Sequence, residues 1–137
     1  MYDVGLDVWV RFENDGTITC GMTDPAQTRG GKLIHVQFRT IGKQFARGRA
    51  VATIESGKWV GPFPTPLSGE LSATNQDAFS RDVLIANRDP YGAGWFVKIR
   101  PTHLDVERGF LVDSEIAFIQ YQKKIEELKI NCMRCMD

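Results

Sequence analysis

Ala50-Val51-Ala52-Thr53-Ile54-Glu55-Ser56-Gly57-Lys58-Trp59-Val60 is the stretch on which the fold turns. Ala50 to Ile54 has the length and composition of a short buried strand. It runs into Glu55-Ser56-Gly57-Lys58-Trp59, where Gly57 supplies a turn and Trp59-Val60 begins a returning strand. Lys58 is thereby set at the tip of a β-hairpin, exposed and unhindered. An enzyme that attaches a group to the ε-amine needs this placement, because it must admit the whole side chain without unfolding the strands beside it. A solvated turn lysine has the same local sequence, so the hairpin alone leaves both readings open.

Working outward, the same strand-and-turn rhythm continues. Val8, Val10 and Phe12 alternate with Asp7, Trp9 and Arg11, a period of two, with Trp9 making both faces partly apolar. Glu13-Asn14-Asp15-Gly16 supplies a hairpin turn and Thr17 to Cys20 returns. Thr23 caps one helical turn over Asp24-Pro25-Ala26-Gln27, ended by Gly30-Gly31. Leu33 to Phe38 alternates again, Ile41-Gly42 turns, and Pro62, Pro64 and Pro66 punctuate one loop. Gly69 to Leu71 and Trp95 to Ile99 complete the strands, and Ser80 caps a short helix over Arg81 to Ala86. Many short strands of this kind predict a sandwich or flattened barrel. The C-terminus changes period: Phe118, Tyr121, Ile125 and Leu128 recur at three- and four-residue steps, predicting one amphipathic helix from Ser114 to Ile130 that lies on the strand body and covers a face or edge. The expected organisation is one domain over 1–130 and a flexible, cysteine-bearing tail over 131–137.

The chain has 137 residues, 42% hydrophobic and 25% charged, within the ordinary globular range and against disorder throughout. Lys plus Arg and Asp plus Glu number 17 each, so the formal charge is zero and the basic surplus of a nucleic-acid binder is missing. No apolar run reaches the length of a membrane span, and Met1-Tyr2-Asp3-Val4 lacks a basic secretory start. A cytoplasmic protein with neither nucleic-acid nor membrane partners is expected. Cys20, Cys132 and Cys135 do not make a disulfide scaffold.

Four segments, in order, resemble one family. Gly21-Met22-Thr23-Asp24-Pro25-Ala26-Gln27, Glu55-Ser56-Gly57-Lys58, Pro66-Leu67-Ser68-Gly69-Glu70 and Asn87-Arg88-Asp89-Pro90-Tyr91-Gly92-Ala93-Gly94-Trp95 are similar to motifs of the glycine cleavage system H proteins. The resemblance covers about Val8 to Phe118. It implies a mostly β lipoyl domain, a hybrid barrel-sandwich of two small antiparallel sheets with short helices and a C-terminal amphipathic helix. It further implies lipoic acid in amide linkage to Lys58 and a carrier that catalyses nothing itself. Glu55 resembles the acidic residue that lipoate-attaching enzymes read beside the lysine, and a charge pair with Lys58 accounts for it equally well. Gly57 and Trp59 depart from the usual Val and Ala. The resulting Gly-Lys-Trp-Val-Gly-Pro looks like the lipoate-binding proteins of the heterodisulfide-reductase-like sulfur-oxidation system, which implies sulfur cargo and that complex as partner. The alternative is a glycine cleavage H protein carrying an aminomethyl group among glycine decarboxylase, aminomethyltransferase and dihydrolipoamide dehydrogenase. A further alternative is an unlipoylated H-like binding module. Trp59 is either an apolar rest for the arm or ordinary hairpin packing.

Cys132-Met133-Arg134-Cys135 follows a helix C-terminus, where the dipole disfavours thiolate, and supplies only two of the four ligands a zinc site wants. Inert tail thiols are expected there, with disulfide exchange with the arm as the competing reading. His35 and His103 stand without carboxylate or Cys at ligand spacing, so both are read as structural and no metal or catalytic residue is expected.

Overall fold

The computed structural model describes residues 1–24, 26 and 31–136, with side chains as far as 126. Among the described residues, nine strands form two antiparallel sheets. The larger orders them β1 (Tyr2–Asp3), β2 (Val8–Phe12), β3 (Ile18–Met22), β9 (Val97–Pro101), β8 (Gly69–Thr74) and β5 (Gln44–Phe45). The smaller sheet is β4 (Leu33–Phe38), β6 (Ala50–Ser56) and β7 (Val60–Pro64). This is the barrel-sandwich that the strand rhythm and the resemblance imply. The core lies between the sheets, and its centre is aromatic: Phe63 of β7 stacks on Phe96, ring centroids 4.4 Å apart, and Phe79 packs on Phe96 at 4.9 Å.

The β2–β3 hairpin turns as its residues require. Gly16 takes φ +85°, and the Asp15 carboxylate accepts bonds from the Thr17 amide and hydroxyl. Burial departs from simple alternation: Val8, Trp9 and Val10 are all buried while Phe12 is exposed. The Trp9 indole N–H donates to the Pro90 carbonyl at 2.7 Å, so the polar end of the ring has a buried partner.

Three local expectations are corrected. Pro62 and Pro64 lie in β7, not in a loop; Pro66 alone of the three falls outside it. β7 is an edge strand, where a residue without N–H leaves no ladder bond unmade. The helix expected over Arg81 to Ala86 is replaced by two, α1 (Gln76–Arg81) and α2 (Ile85–Arg88), and Ser80 lies inside α1 rather than capping it. Buried Phe79 anchors α1 to the core, and the chain becomes extended at Asp82. After α3 (Leu104–Glu107) and a 3-10 turn (Arg108–Phe110), α4 runs Ser114–Met136, past the expected stop at Ile130.

The docking face of α4 is also rotated from the expected one. Ala117 and Tyr121 are buried, whereas Phe118 and Ile125 are exposed; Leu128 lies outside the residues with described side chains. Polar contacts select that face. The Tyr121 hydroxyl donates to Thr23 Oγ1 at 3.2 Å, and Lys124 Nζ reaches Asp7 Oδ1 at 3.0 Å and the Val4 carbonyl at 3.4 Å. The helical turn expected over Asp24 to Gln27, with its end at Gly30, falls largely outside the described residues. Thr23 Oγ1 does accept from the Ala26 amide at 3.5 Å.

Candidate functional site

The hairpin of β6 and β7 pairs Glu55 with Val60, Ile54 with Gly61 and Thr53 with Pro62. Between them, the Ser56 amide donates to the Trp59 carbonyl at 2.9 Å, leaving Gly57 and Lys58 as the two residues of the tip. Gly57 is not in the left-handed region, and a Cβ there would meet nothing within 4 Å. Its small size is therefore not what shapes the turn. Ser56 is. Its buried hydroxyl oxygen accepts from the Lys58 amide at 3.1 Å and the Trp59 amide at 3.2 Å, and the hydroxyl lies 3.3 Å from the Trp59 carbonyl. The Gly57 amide donates to the Lys32 carbonyl at 3.4 Å, tying the tip to the segment entering β4.

Lys58 is exposed, and its ammonium makes no ion pair or hydrogen bond among the described residues. Its methylenes run over Gly31, where a Cβ would lie 3.3 Å from Cδ and 3.4 Å from Cε. Gly31 takes φ +78°, so glycine suits both the backbone and the space. Asn87, on α2, holds this segment in place: its Nδ2 donates to the Gly31 carbonyl at 3.1 Å and its Oδ1 accepts from the Leu33 amide at 3.0 Å. Ser56 and Asn87 stand inside motifs of the sequence, which by itself assigns neither a role. The signal for Ser56 was available, since a Ser two residues before the tip residue is a standard side-chain-to-backbone turn former. Asn87 is 54 residues from Leu33, and nothing local announces that contact.

Glu55 is exposed beside the tip, opposite His35 in the β4–β6 register, and no Glu55–Lys58 ion pair forms among the described residues. Trp59 lies over Gly61, where any Cβ would collide with the indole. The ring forms one wall of a cleft of about 340 Å³, shared with Leu6, Met22, Ile54, Phe63 and Asp7. Asp7 itself sits at φ +59° and is ion-paired to Lys124. These features fit a long acyl group on the lysine. The amine is exposed, the turn beneath it is fastened, and the ring of its sequence neighbour Trp59 walls a largely apolar cleft.

Other sequence candidates are not brought to this site. Cys20 is fully buried on β3, and burial pushes its thiol up, so it is held as a protonated apolar side chain. The side chains of Cys132 and Cys135 lie outside those described. His103 Nδ1 is bonded to Thr102 Oγ1 at 2.9 Å, and among the described residues no three potential ligands cluster for a metal. No helix among the described residues is long and apolar enough to cross a membrane.

The chain as a whole is similar to known proteins of one group. The family model for Glycine cleavage H-protein matches residues 1–127. Glycine cleavage system H protein 3 of Aquifex aeolicus is 43% identical over 138 residues, covering 98% of this chain and 85% of that protein. H protein 2 of the same organism is 40% identical over 131 residues, covering 96% and 81%. Among solved structures, a glycine cleavage system H protein from Mycobacterium marinum superposes with a TM-score of 0.64 at 30% identity, over 71% of this chain and 80% of that one.

Proposed function

We propose that this chain, which belongs to the glycine cleavage H-protein family, carries its lipoyl group on Lys58 and shuttles an aminomethyl group from glycine decarboxylase to aminomethyltransferase. The family is one of non-catalytic carriers bearing lipoate on a lysine, so chemistry is brought to the arm by other enzymes. When bound, the lipoyl group would supply a disulfide whose S–S bond breaks as one sulfur takes the cargo group and the other leaves as a thiol. The chain's own residues do the positioning. Ser56 closes the turn under Lys58, Gly31 leaves room for the lysine stem, and Asn87 holds Gly31 and Leu33 at their spacing. Glu55, exposed and not paired with Lys58, is left for recognition by a lipoate-attaching enzyme. The observation that carries this reading is the exposed ammonium of Lys58, unpartnered among the described residues, on a fastened two-residue tip.

The test is intact mass and peptide mapping of protein from its native host, wild type against Lys58→Arg. One lipoyl mass mapping to Lys58 and vanishing in the variant supports attachment; an unmodified native protein leaves an H-like binding module instead. Incubating the lipoylated form with glycine and glycine decarboxylase then reads the cargo. A second reading, sulfur cargo passed to a heterodisulfide-reductase-like complex, is favoured by Gly57 and Trp59 beside the lysine. Three matching H proteins in Aquifex aeolicus also fit a division of cargo among such carriers. Acceptance of the aminomethyl group decides against it.

A further inference from the structure

β4 is an edge of the smaller sheet, and α1 packs beside it, the rings of Phe38 and Phe79 meeting with centroids 5.7 Å apart. Between the strand and the helix a cleft of about 450 Å³ opens, separate from the one that Trp59 walls. Its floor is apolar, Val36, Phe79 and Val83, and its rim carries His35, Ser80 and Arg81. No carboxylate lines it among the described residues. Arg81 Nε donates to the Asp77 carbonyl at 3.3 Å, which steadies the side chain, while its two terminal nitrogens meet no partner among the described residues. Asp82, the next residue, is taken by Arg88. Glu55 stands opposite His35 in the ladder, but no ion pair joins them among the described residues. The positive charge runs on beyond the cleft. Residues 31–54 hold Lys32, Arg39, Lys43, Arg47 and Arg49 and neither Asp nor Glu. Arg47 is paired with Asp3, whereas Lys32 and Arg39, exposed at the two ends of β4, have side chains without a partner among the described residues.

We propose that the cleft between β4 and α1, with the cations that flank it, is a docking site for an acidic segment of a partner protein, which rests one apolar side chain on Val36, Phe79 and Val83 and gives a carboxylate to Arg81. The planar guanidinium offers its terminal N–H groups as a fork that matches a carboxylate. From Lys32 to Arg39 the strand spans roughly 23 Å, longer than a small ligand and suited to several residues of extended chain. An apolar floor accepts a side chain and not a phosphate, and the chain's zero formal charge lacks the surplus that draws nucleic acid. Lys58 is no part of this site, which stands whether or not that lysine is modified. The Gly57 amide is bonded to the Lys32 carbonyl at the near end of β4, so a partner held here lies alongside the tip and leaves Lys58 uncovered.

The experiment follows backbone amide shifts of the full, unmodified chain by NMR as wild type, Arg81→Gln and Arg100→Gln, the last a control on β9 in the other sheet. The probe is a capped peptide of alternating Glu and Leu, compared with the same peptide bearing Gln for Glu and with a short single-stranded oligothymidine. The acidic peptide should shift the amides of Ile34 to Val36 and of Ser80 to Val83. Its affinity should fall about two- to fivefold in Arg81→Gln, the range of an exposed ion pair, and stay at the wild-type value in Arg100→Gln. The Gln peptide should bind more weakly by at least the same factor, and added salt should weaken the acidic peptide alone. No shift at these amides up to about 5 mM peptide, the weak end of measurable affinity, overturns the proposal. So do equal affinities for the Glu and Gln peptides, or an equal loss in Arg81→Gln and Arg100→Gln. Oligothymidine binding the same amides more tightly assigns the surface to nucleic acid and overturns it as well. Should Arg81→Gln fail to fold, its spectrum shows so, and the Glu and Gln peptides on wild type decide. None of these results touches the lipoyl reading, which the mass of Lys58 tests separately.

Discussion

Ser56→Ala removes one oxygen from the buried side of the hairpin tip. In the native turn that oxygen accepts from two amides, Lys58 at 3.1 Å and Trp59 at 3.2 Å. A neutral hydrogen bond contributes about 0.5–1.5 kcal/mol net. The tip residues on either side are exposed, so water recovers part of the loss, and the expected destabilisation is about 1.5 kcal/mol. For a domain of this length that lowers the melting temperature by about 5 °C. The rest of the fold should be untouched, since Ile54 and Phe63 keep the strands packed below the turn. The sharper consequence is functional. If the whole loss falls on the encounter with the lipoate-attaching enzyme, kcat/KM for lipoylation drops about tenfold. The assay pairs a thermal melt with the rate of mass gain at Lys58 under limiting ligase. A variant that melts within about 1 °C of wild type and gains lipoate at the wild-type rate refutes the assignment of Ser56 as the fastener of the turn.

Three further outcomes follow from other parts of the molecule. Asn87→Ala strips the partners from the Gly31 carbonyl and the Leu33 amide, and should cost about 1–3 kcal/mol in urea unfolding, with faster hydrogen exchange at Leu33 but not in the β2–β3 hairpin. Phe63→Ala empties the stack on Phe96 at the centre of the core, and should cost about 3–5 kcal/mol by the same measurement. Cys20 keeps its proton in the folded chain because burial raises its thiol above the ordinary value of 9.0. The stability this contributes is whole below the unfolded value and is lost as pH rises above it, because the unfolded thiol ionises and the folded one does not. Above about pH 9 the wild type should therefore lose stability more steeply than Cys20→Ala, by up to about 1.4 kcal/mol per pH unit; parallel pH profiles would show that the thiol titrates alike in both states.

Much of this chain was legible because the deciding information is local. A turn needs particular residues within four positions, so Asp15-Gly16 and Ser56-Gly57-Lys58 announce their hairpins in the sequence, and Lys58 at a tip follows from the strand before it. The period-two runs over 8–12 and 33–38 likewise name their own strands. Periodicity, by contrast, reports that a helix has an apolar stripe and not which part of it finds a partner. Residues 114–126 present several apolar side chains, and the choice of Ala117 and Tyr121 over Phe118 and Ile125 was made by Thr23, Asp7 and Val4, roughly a hundred residues away. Pro62 and Pro64 read as loop residues because proline breaks a ladder; only the sheet order, which makes β7 an edge, shows that no bond is lost there.

By itself, then, the sequence determined the class of fold, the hairpin and the exposed lysine at its tip, since those depend on residues a few positions apart. Tertiary structure alone decided that Gly31 lies under the lysine stem, that Asn87 braces it from α2, that Trp59 settles on Gly61 as the wall of a cleft, and which face of α4 docks. Each of these is a contact between segments whose register and approach are set by packing of the whole core, and no short stretch of chain encodes that.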